Sequence, residues 1–239
     1  MTDSQGKQAR ESFNKNLLAD YHAARLSTND LFINHTRLFQ IKMNVIDVFS
    51  CPILVGIIGD NLSELRQIPP PVSGIKQDRV LEDYPNSKAI LTSYFNSFMK
   101  LHFKYEHEFV ITTSWINILK KGESKRSHYH NNCFWTGIFY YGEDYDKGSG
   151  SLILSNPLAE KSGIAVAEPN GVRNPLTNDA ILHPEPNLLT FFPSYIRHGV
   201  QPVVSDHARY SLAFNFMPVG EFGYSDGVIN PQWLQKANS

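Results

Sequence analysis

The chain has 239 residues, 41% hydrophobic and 19% charged, with a formal net charge of −1. That composition is ordinary for a soluble globular protein, leaves room for one large β domain or two small ones, and lacks the basic tail or stripe of a non-specific nucleic-acid binder, so nucleic acid is not an expected partner. Cys51 and Cys133 form neither a zinc nor a disulfide pattern, the N-terminus opens polar, and the most apolar run, 45–58, is broken by Asp47, Ser50 and Pro52; the expectation is a cytoplasmic protein with no membrane span.

Residues 1–40 read as an N-terminal helical extension, with Phe13, Leu17, Leu18, Tyr21 and Leu26 near helical spacing, and 41–239 read as a single β-rich domain. His22 and His35 fit surface positions. The stretch 39–58 predicts one or two buried strands with a turn at Gly59, Asp60 and Asn61, and 66–76 a proline-rich loop. A helix is expected over 87–104, capped by Asn86 or Ser87. Its apolar stripe of Ile90, Leu91, Tyr94, Phe95, Phe98 and Met99 suits the outside of a sheet. Residues 109–119 alternate and are rich in β-branched side chains, which predicts a strand with Trp115 and Asn117 on one face. Asn117 is a candidate to line a ligand site there.

His128 and His130 come next, two residues apart in an extended segment, so both can face one way and share a metal ion. In a chain with nine histidines such a pair alone is a common accident. A strand follows over 134–141, a turn over 142–150 and a strand over 151–154. The segment 158–187, rich in Pro, Gly and Asn, is expected to be irregular, to overhang the site and to help hold substrate, with His183 as a loop residue. A short apolar strand then runs from Leu188 to Pro193, and His198 opens the next extended run. In 208–216, Arg209, Ser211, Ala213 and Asn215 share one face, while Tyr210, Leu212, Phe214 and Phe216 share the other, which belongs to a core. An arginine and a serine side by side make a carboxylate receptor: the guanidinium forks onto both oxygens and the hydroxyl adds a donor. Residues 218–239 have little periodicity and are expected to pack over an edge. Several short strands, few helices and regular turns predict an all-β sandwich or barrel with helical decoration.

The order His-x-His, strands, His, then Arg-x-Ser over roughly 110–217 resembles the iron(II)- and 2-oxoglutarate-dependent oxygenases. It is similar in particular to a bacterial and phage branch with His-x-His-x-Asn before a Ser/Thr-Gly-Val/Ile-Tyr/Phe-Tyr strand; here these read His128, Tyr129, His130, Asn131, Asn132 and Thr136, Gly137, Ile138, Phe139, Tyr140. The resemblance implies a mainly β fold with flanking helices, a double-stranded β-helix (a cupin-like jelly-roll) with its core at about 109–217. It implies Fe(II), 2-oxoglutarate as co-substrate and dioxygen, and hydroxylation of a small-molecule or peptide substrate with release of succinate and CO2. It assigns His128 and His198 to the metal and Arg209 and Ser211 to the 5-carboxylate of 2-oxoglutarate. Tyr140 is either a further donor to that carboxylate or a barrel-lining aromatic.

One departure stands out. The family holds its metal with two histidines and a carboxylate, and here His130 occupies the carboxylate position; no Asp or Glu lies within 127–142, and Glu143 is the nearest downstream acid. A third imidazole completes a triad but leaves iron one unit more positive, and three histidines also suit zinc. A second register would make His130 the first histidine and put Asn132, a poor ligand, in the acid's place. Neither residue is small enough to admit chloride, so halogenation is not expected. The alternative reading is a cupin-like metal-binding or structural jelly-roll without oxygenase activity, a module that would not require Arg209 and Ser211.

Overall fold

The computed structural model describes residues 31–32, 42–48, 51–58, 60–68, 78–155 and 179–230. The chain divides into two compact units, Met1–Leu31 and Phe32–Ser239. The helix expected within 1–40, the boundary expected near 40, and most of the segment expected to overhang the site lie outside the described residues.

Two sheets carry the fold. The larger has seven strands in the order β1 (Leu31–Phe32), β2 (Lys42–Val48), β3 (Cys51–Ile57), β9 (Leu188–Pro193), β6 (Trp135–Phe139), β11 (Arg209–Pro218), β4 (Phe109–Leu119). The smaller runs β5 (Lys125–His128), β10 (His198–Val200), β7 (Leu152–Leu154), β8 (Ala180–Leu182). The interrupted apolar run proves to be the β2–β3 hairpin: Asp47 pairs with Pro52 and Val48 with Cys51, so the breakers sit at its turn end. Among the described residues no helix is long and apolar enough to cross a membrane.

Period-2 alternation gives the larger sheet two greasy faces with different partners. On the inner face Ile138, Tyr140, Leu188, Phe192 and Ala213 pack with Leu152 and Leu154 of the smaller sheet in one buried cluster. On the outer face lies helix α1 (Pro85–Phe98), whose Phe95 stacks on Phe216 at 3.8 Å and meets Phe109 and Phe191 edge-on, both at 5.3 Å. β11 thereby divides as its alternation predicts. Phe214 and Phe216 are fully buried on the helix side, while Arg209, Ser211 and Ala213 face the space between the sheets. Gly137 is required at the centre of β6, because a Cβ there would come within 2.2 Å of the Phe214 ring. The architecture is a mainly β jelly-roll with helices on one flank.

Three expectations need correction. Helix α1 starts at Pro85, earlier than expected, with Tyr84 as a cap that makes no side-chain bond. Proline presets the first helical φ, and the capping role passes to Glu64. Its carboxylate accepts the Ser87 backbone N–H at 3.0 Å and the Ser87 hydroxyl, so Ser87 lies inside the helix. The helix also ends sooner, at Phe98, and passes into a π-helical turn, Met99–Phe103, stopped by Lys104 in the left-handed region at φ 61°. Last, Ala180–Leu182, expected to be irregular, is a strand paired with β7; a three-residue strand has too little pattern to show before its partner is known.

Candidate metal centre and carboxylate pocket

β10 pairs antiparallel with β5 so that His198 lies directly opposite His128. Side chains facing each other across such a pair have Cβ atoms about 5 Å apart, so pairing alone brings the two imidazoles together. Gly199 permits the approach: a Cβ there would sit 2.9 Å from the Lys125 carbonyl oxygen and 3.2 Å from Ser127 backbone. His130 arrives differently. It lies past the end of β5, in a turn docked on the turn after β9. Its N–H donates to the Ser194 carbonyl at 3.1 Å, the Ser194 N–H donates to Phe134 O at 3.2 Å, and the Ser194 hydroxyl donates to Cys133 O at 2.6 Å. The ring centroids stand 4.5 Å apart for 128–198, 4.9 Å for 130–198 and 5.2 Å for 128–130. One nitrogen from each ring lies within 4.8 Å of the others.

Each ring has its Nδ1 engaged. That of His128 is 2.9 Å from Arg126 O, that of His198 is 3.0 Å from Ile196 O, and that of His130 is 2.9 Å from Asn215 Oδ1 and 3.0 Å from Thr136 Oγ1. A carbonyl oxygen can only accept, so each Nδ1 carries the proton and Nε2 keeps its lone pair. The three rings therefore suit a cation that prefers nitrogen ligands, such as iron(II) or zinc. Burial lowers the basicity of His130, which keeps it neutral. It also pushes His198 down to about 4, with its neighbours His128 and His130 adding repulsion and the Ile196 hydrogen bond opposing the shift.

The His198 shift predicts a pH dependence for the metal-free protein. In the unfolded chain its imidazole takes a proton near pH 6.5, but in the folded chain it refuses one until about pH 4. Protonation therefore favours unfolding as pH falls through that window, and stability is fully regained above it. The loss from this residue reaches about 3 kcal/mol. Denaturant unfolding in chelator at pH 7 and pH 4.5 measures it; His198→Asn should flatten the pH slope relative to the parent, and an unchanged slope would remove the assignment.

Arg209 is 1% exposed. Its Nε donates to Gly150 O at 3.0 Å, Nη1 to Ser211 Oγ at 2.9 Å and Nη2 to Tyr140 Oη at 2.9 Å, and the guanidinium lies 4.8 Å from the Tyr140 ring centroid. Three of its five N–H groups are thus used, leaving one on each terminal nitrogen. Ser211 and Tyr140 accept from the guanidinium, and their own hydroxyl hydrogens have no acceptor among the described residues. No carboxylate faces the buried cation among those residues either. A buried charge with four spare donors and no counter-ion is costly alone and matches an incoming carboxylate. Tyr140 is fully buried in the inner cluster with its hydroxyl accepting from the guanidinium, and it is not among the residues that line the cavity.

The histidines, Arg209 and Ser211 line one cavity of about 100 Å³. Asn117, opposite Ser211 across β4 and β11, lines it as well. Asn132 is exposed and lies outside both the histidine cluster and the cavity wall. Lys125 and Thr136 also line the cavity and were not singled out from the sequence. Thr136 was visible only as part of the strand motif. Nothing in the residue pattern marks Lys125, an exposed residue at the start of β5.

Residues 113–215 match the family described as "Putative 2OG-Fe(II) oxygenase". No curated protein matches the chain. Solved structures similar to it include a 2OG-Fe(II) oxygenase-family oxidoreductase from Burkholderia pseudomallei, 17% identical, covering 69% of this chain and 68% of that one at TM-score 0.41. A Pseudomonas putida prolyl-4-hydroxylase is 16% identical, with 69% and 78% covered at TM-score 0.40. HygX from Streptomyces hygroscopicus, with nickel, 2-oxoglutarate and hygromycin B bound, is 12% identical, with 70% and 83% covered at TM-score 0.46. The match over 113–215 takes in both histidine segments, β6, and the cavity-facing residues of β4 and β11, Arg209 and Ser211 among them, and over those residues the chain is similar to that oxygenase family.

Proposed function

We propose that this protein is an iron(II)- and 2-oxoglutarate-dependent oxygenase that hydroxylates a small-molecule or peptide substrate, with His128, His130 and His198 as its three metal ligands and Arg209, Ser211 and Tyr140 as the receptor for the 5-carboxylate of 2-oxoglutarate. The observation that carries the reading is Arg209, a buried cation that faces no carboxylate among the described residues and shares one cavity with the three imidazoles. Iron(II) bound there supplies, with 2-oxoglutarate and dioxygen, the oxidation of an unactivated C–H bond.

The chain's own part is position and shielding. The histidines offer Nε2 lone pairs with their protons parked on Nδ1. The guanidinium and two hydroxyls anchor the far end of the co-substrate, and Asn117 offers its amide beside them. Trp115, whose ring centroid is 5.5 Å from that of His130, joins Ile138, Leu152, Val200 and Ala213 as an apolar wall that keeps water from the reacting groups. The three imidazoles bring no negative charge, so a cation held by them would keep its full charge until an anion joined it. The proposed cytoplasmic setting rests on the reduced state expected of Cys51 and Cys133.

The test is anaerobic addition of iron(II) and 2-oxoglutarate to the purified protein. A weak visible metal-to-ligand charge-transfer band is expected, and aerobic turnover should release succinate. Absence of the band, with one tightly held zinc instead, would mark a metal-binding jelly-roll without redox activity.

A further inference from the structure

His130 differs from its two partners in what holds it. His128 and His198 give their Nδ1 protons to main-chain carbonyls two residues earlier, Arg126 within β5 and Ile196 in the turn before β10, acceptors with a single orientation. His130 instead gives its proton to a side-chain amide that can present either its oxygen or its NH2. Were the NH2 to face His130, it would donate to Nδ1, the ring proton would move to Nε2, and the imidazole would be blocked as a ligand.

The surroundings of that amide are built. Thr113, Asn215 and Thr136 are partners in one row across β4, β11 and β6. The Asn215 Nδ2 donates to Thr113 Oγ1 at 3.0 Å, and its Oδ1 accepts from the Thr136 hydroxyl at 3.1 Å. Thr136 is 1% exposed, so water does not compete for that bond. With both ends of the amide occupied, its oxygen is directed at His130 Nδ1, 2.9 Å away.

We infer that Asn215, held by Thr113 and Thr136, is the positioning residue of the third imidazole. It fixes the His130 ring and its tautomer with an uncharged acceptor. The inference rests on the proposed histidine triad and adds to it the device that makes the third member competent.

Cobalt(II) is the probe, with affinity measured by competition against a chromophoric chelator and geometry by its visible d–d spectrum. Asn215→Leu keeps the volume and removes the acceptor; the expected weakening is about 10–100-fold with an altered spectrum. Asn215→Asp restores an acceptor at the same atom and should bind at least as tightly as the parent. Thr136→Val leaves the amide in place but frees its oxygen, and a smaller loss, under about tenfold, is expected. This near-isosteric variant keeps the test sharp should Asn215→Leu not fold. Unchanged affinity and spectrum in folded Asn215→Leu or in Thr136→Val, or an Asp variant as weak as the Leu variant, would overturn the inference. A parent protein that takes up no cobalt(II) would overturn the triad itself, and the positioning role with it.

Discussion

His198→Ala should abolish stoichiometric metal uptake, with a loss in affinity of more than about 100-fold, beyond what removing a supporting hydrogen-bond partner costs. The residue is 5% exposed, lies directly opposite His128 and packs edge-on against Phe192 at 4.9 Å, so no other side chain can swing into its place without opening the core. Truncation also leaves a hole and frees the Ile196 carbonyl, so some stability is lost for reasons unrelated to metal. His128→Ala separates the two effects. His128 is exposed, and its removal leaves no buried cavity. Comparable loss of metal in a fully folded His128→Ala protein would assign the effect to ligation. Metal retained at one equivalent by folded His198→Ala would remove that residue from the centre and reduce the site to two histidines at a sheet edge.

The residue pattern revealed some of this and concealed the rest for identifiable reasons. Alternation along β11 sorted Arg209, Ser211 and Ala213 from Phe214 and Phe216, because a strand buried on both faces but polar on one shows its two sides directly in its sequence. The same argument puts Asn117 on the β4 face that lines the cavity, since side-chain direction there depends only on the local period. His128 and His130 look like a pair for the same reason, yet their meeting has another cause: β5 ends at His128, and His130 is delivered by a turn anchored to Ser194. Their spacing suggested the cluster without containing its geometry. The pairing of β5 with β10, the glycine that permits it, and the support of His130 by Asn215 all depend on register between distant segments. One chain read alone carries no register. The capping of α1 by Glu64 was hidden likewise, because a side chain more than twenty residues away took the role that local pattern assigned to Ser87.

Arg209→Met should raise the 2-oxoglutarate requirement by roughly 100- to 1,000-fold while metal affinity stays near that of the parent, since losing one partner of a buried, hydrogen-bonded charge pair costs about 3–4 kcal/mol. Methionine keeps most of the stem's volume, so the change isolates the charge and its fork. Metal should be spared because, among the described residues, the guanidinium bonds Gly150, Ser211 and Tyr140 and none of the histidines' partners. The parent enzyme carries a matching signature. A cation at 1% exposure that faces no carboxylate among the described residues is relieved when an anion binds, so 2-oxoglutarate should raise the melting temperature of the parent strongly and that of the variant hardly at all. Titration of the charge-transfer band with 2-oxoglutarate reads the affinity, and chelator competition reads the metal. Parallel loss of both would make Arg209 a structural cation holding β11 to Gly150. An unchanged 2-oxoglutarate affinity would require a different anchor for the co-substrate, and Lys125, the other cation on the cavity wall, would be the residue to replace next.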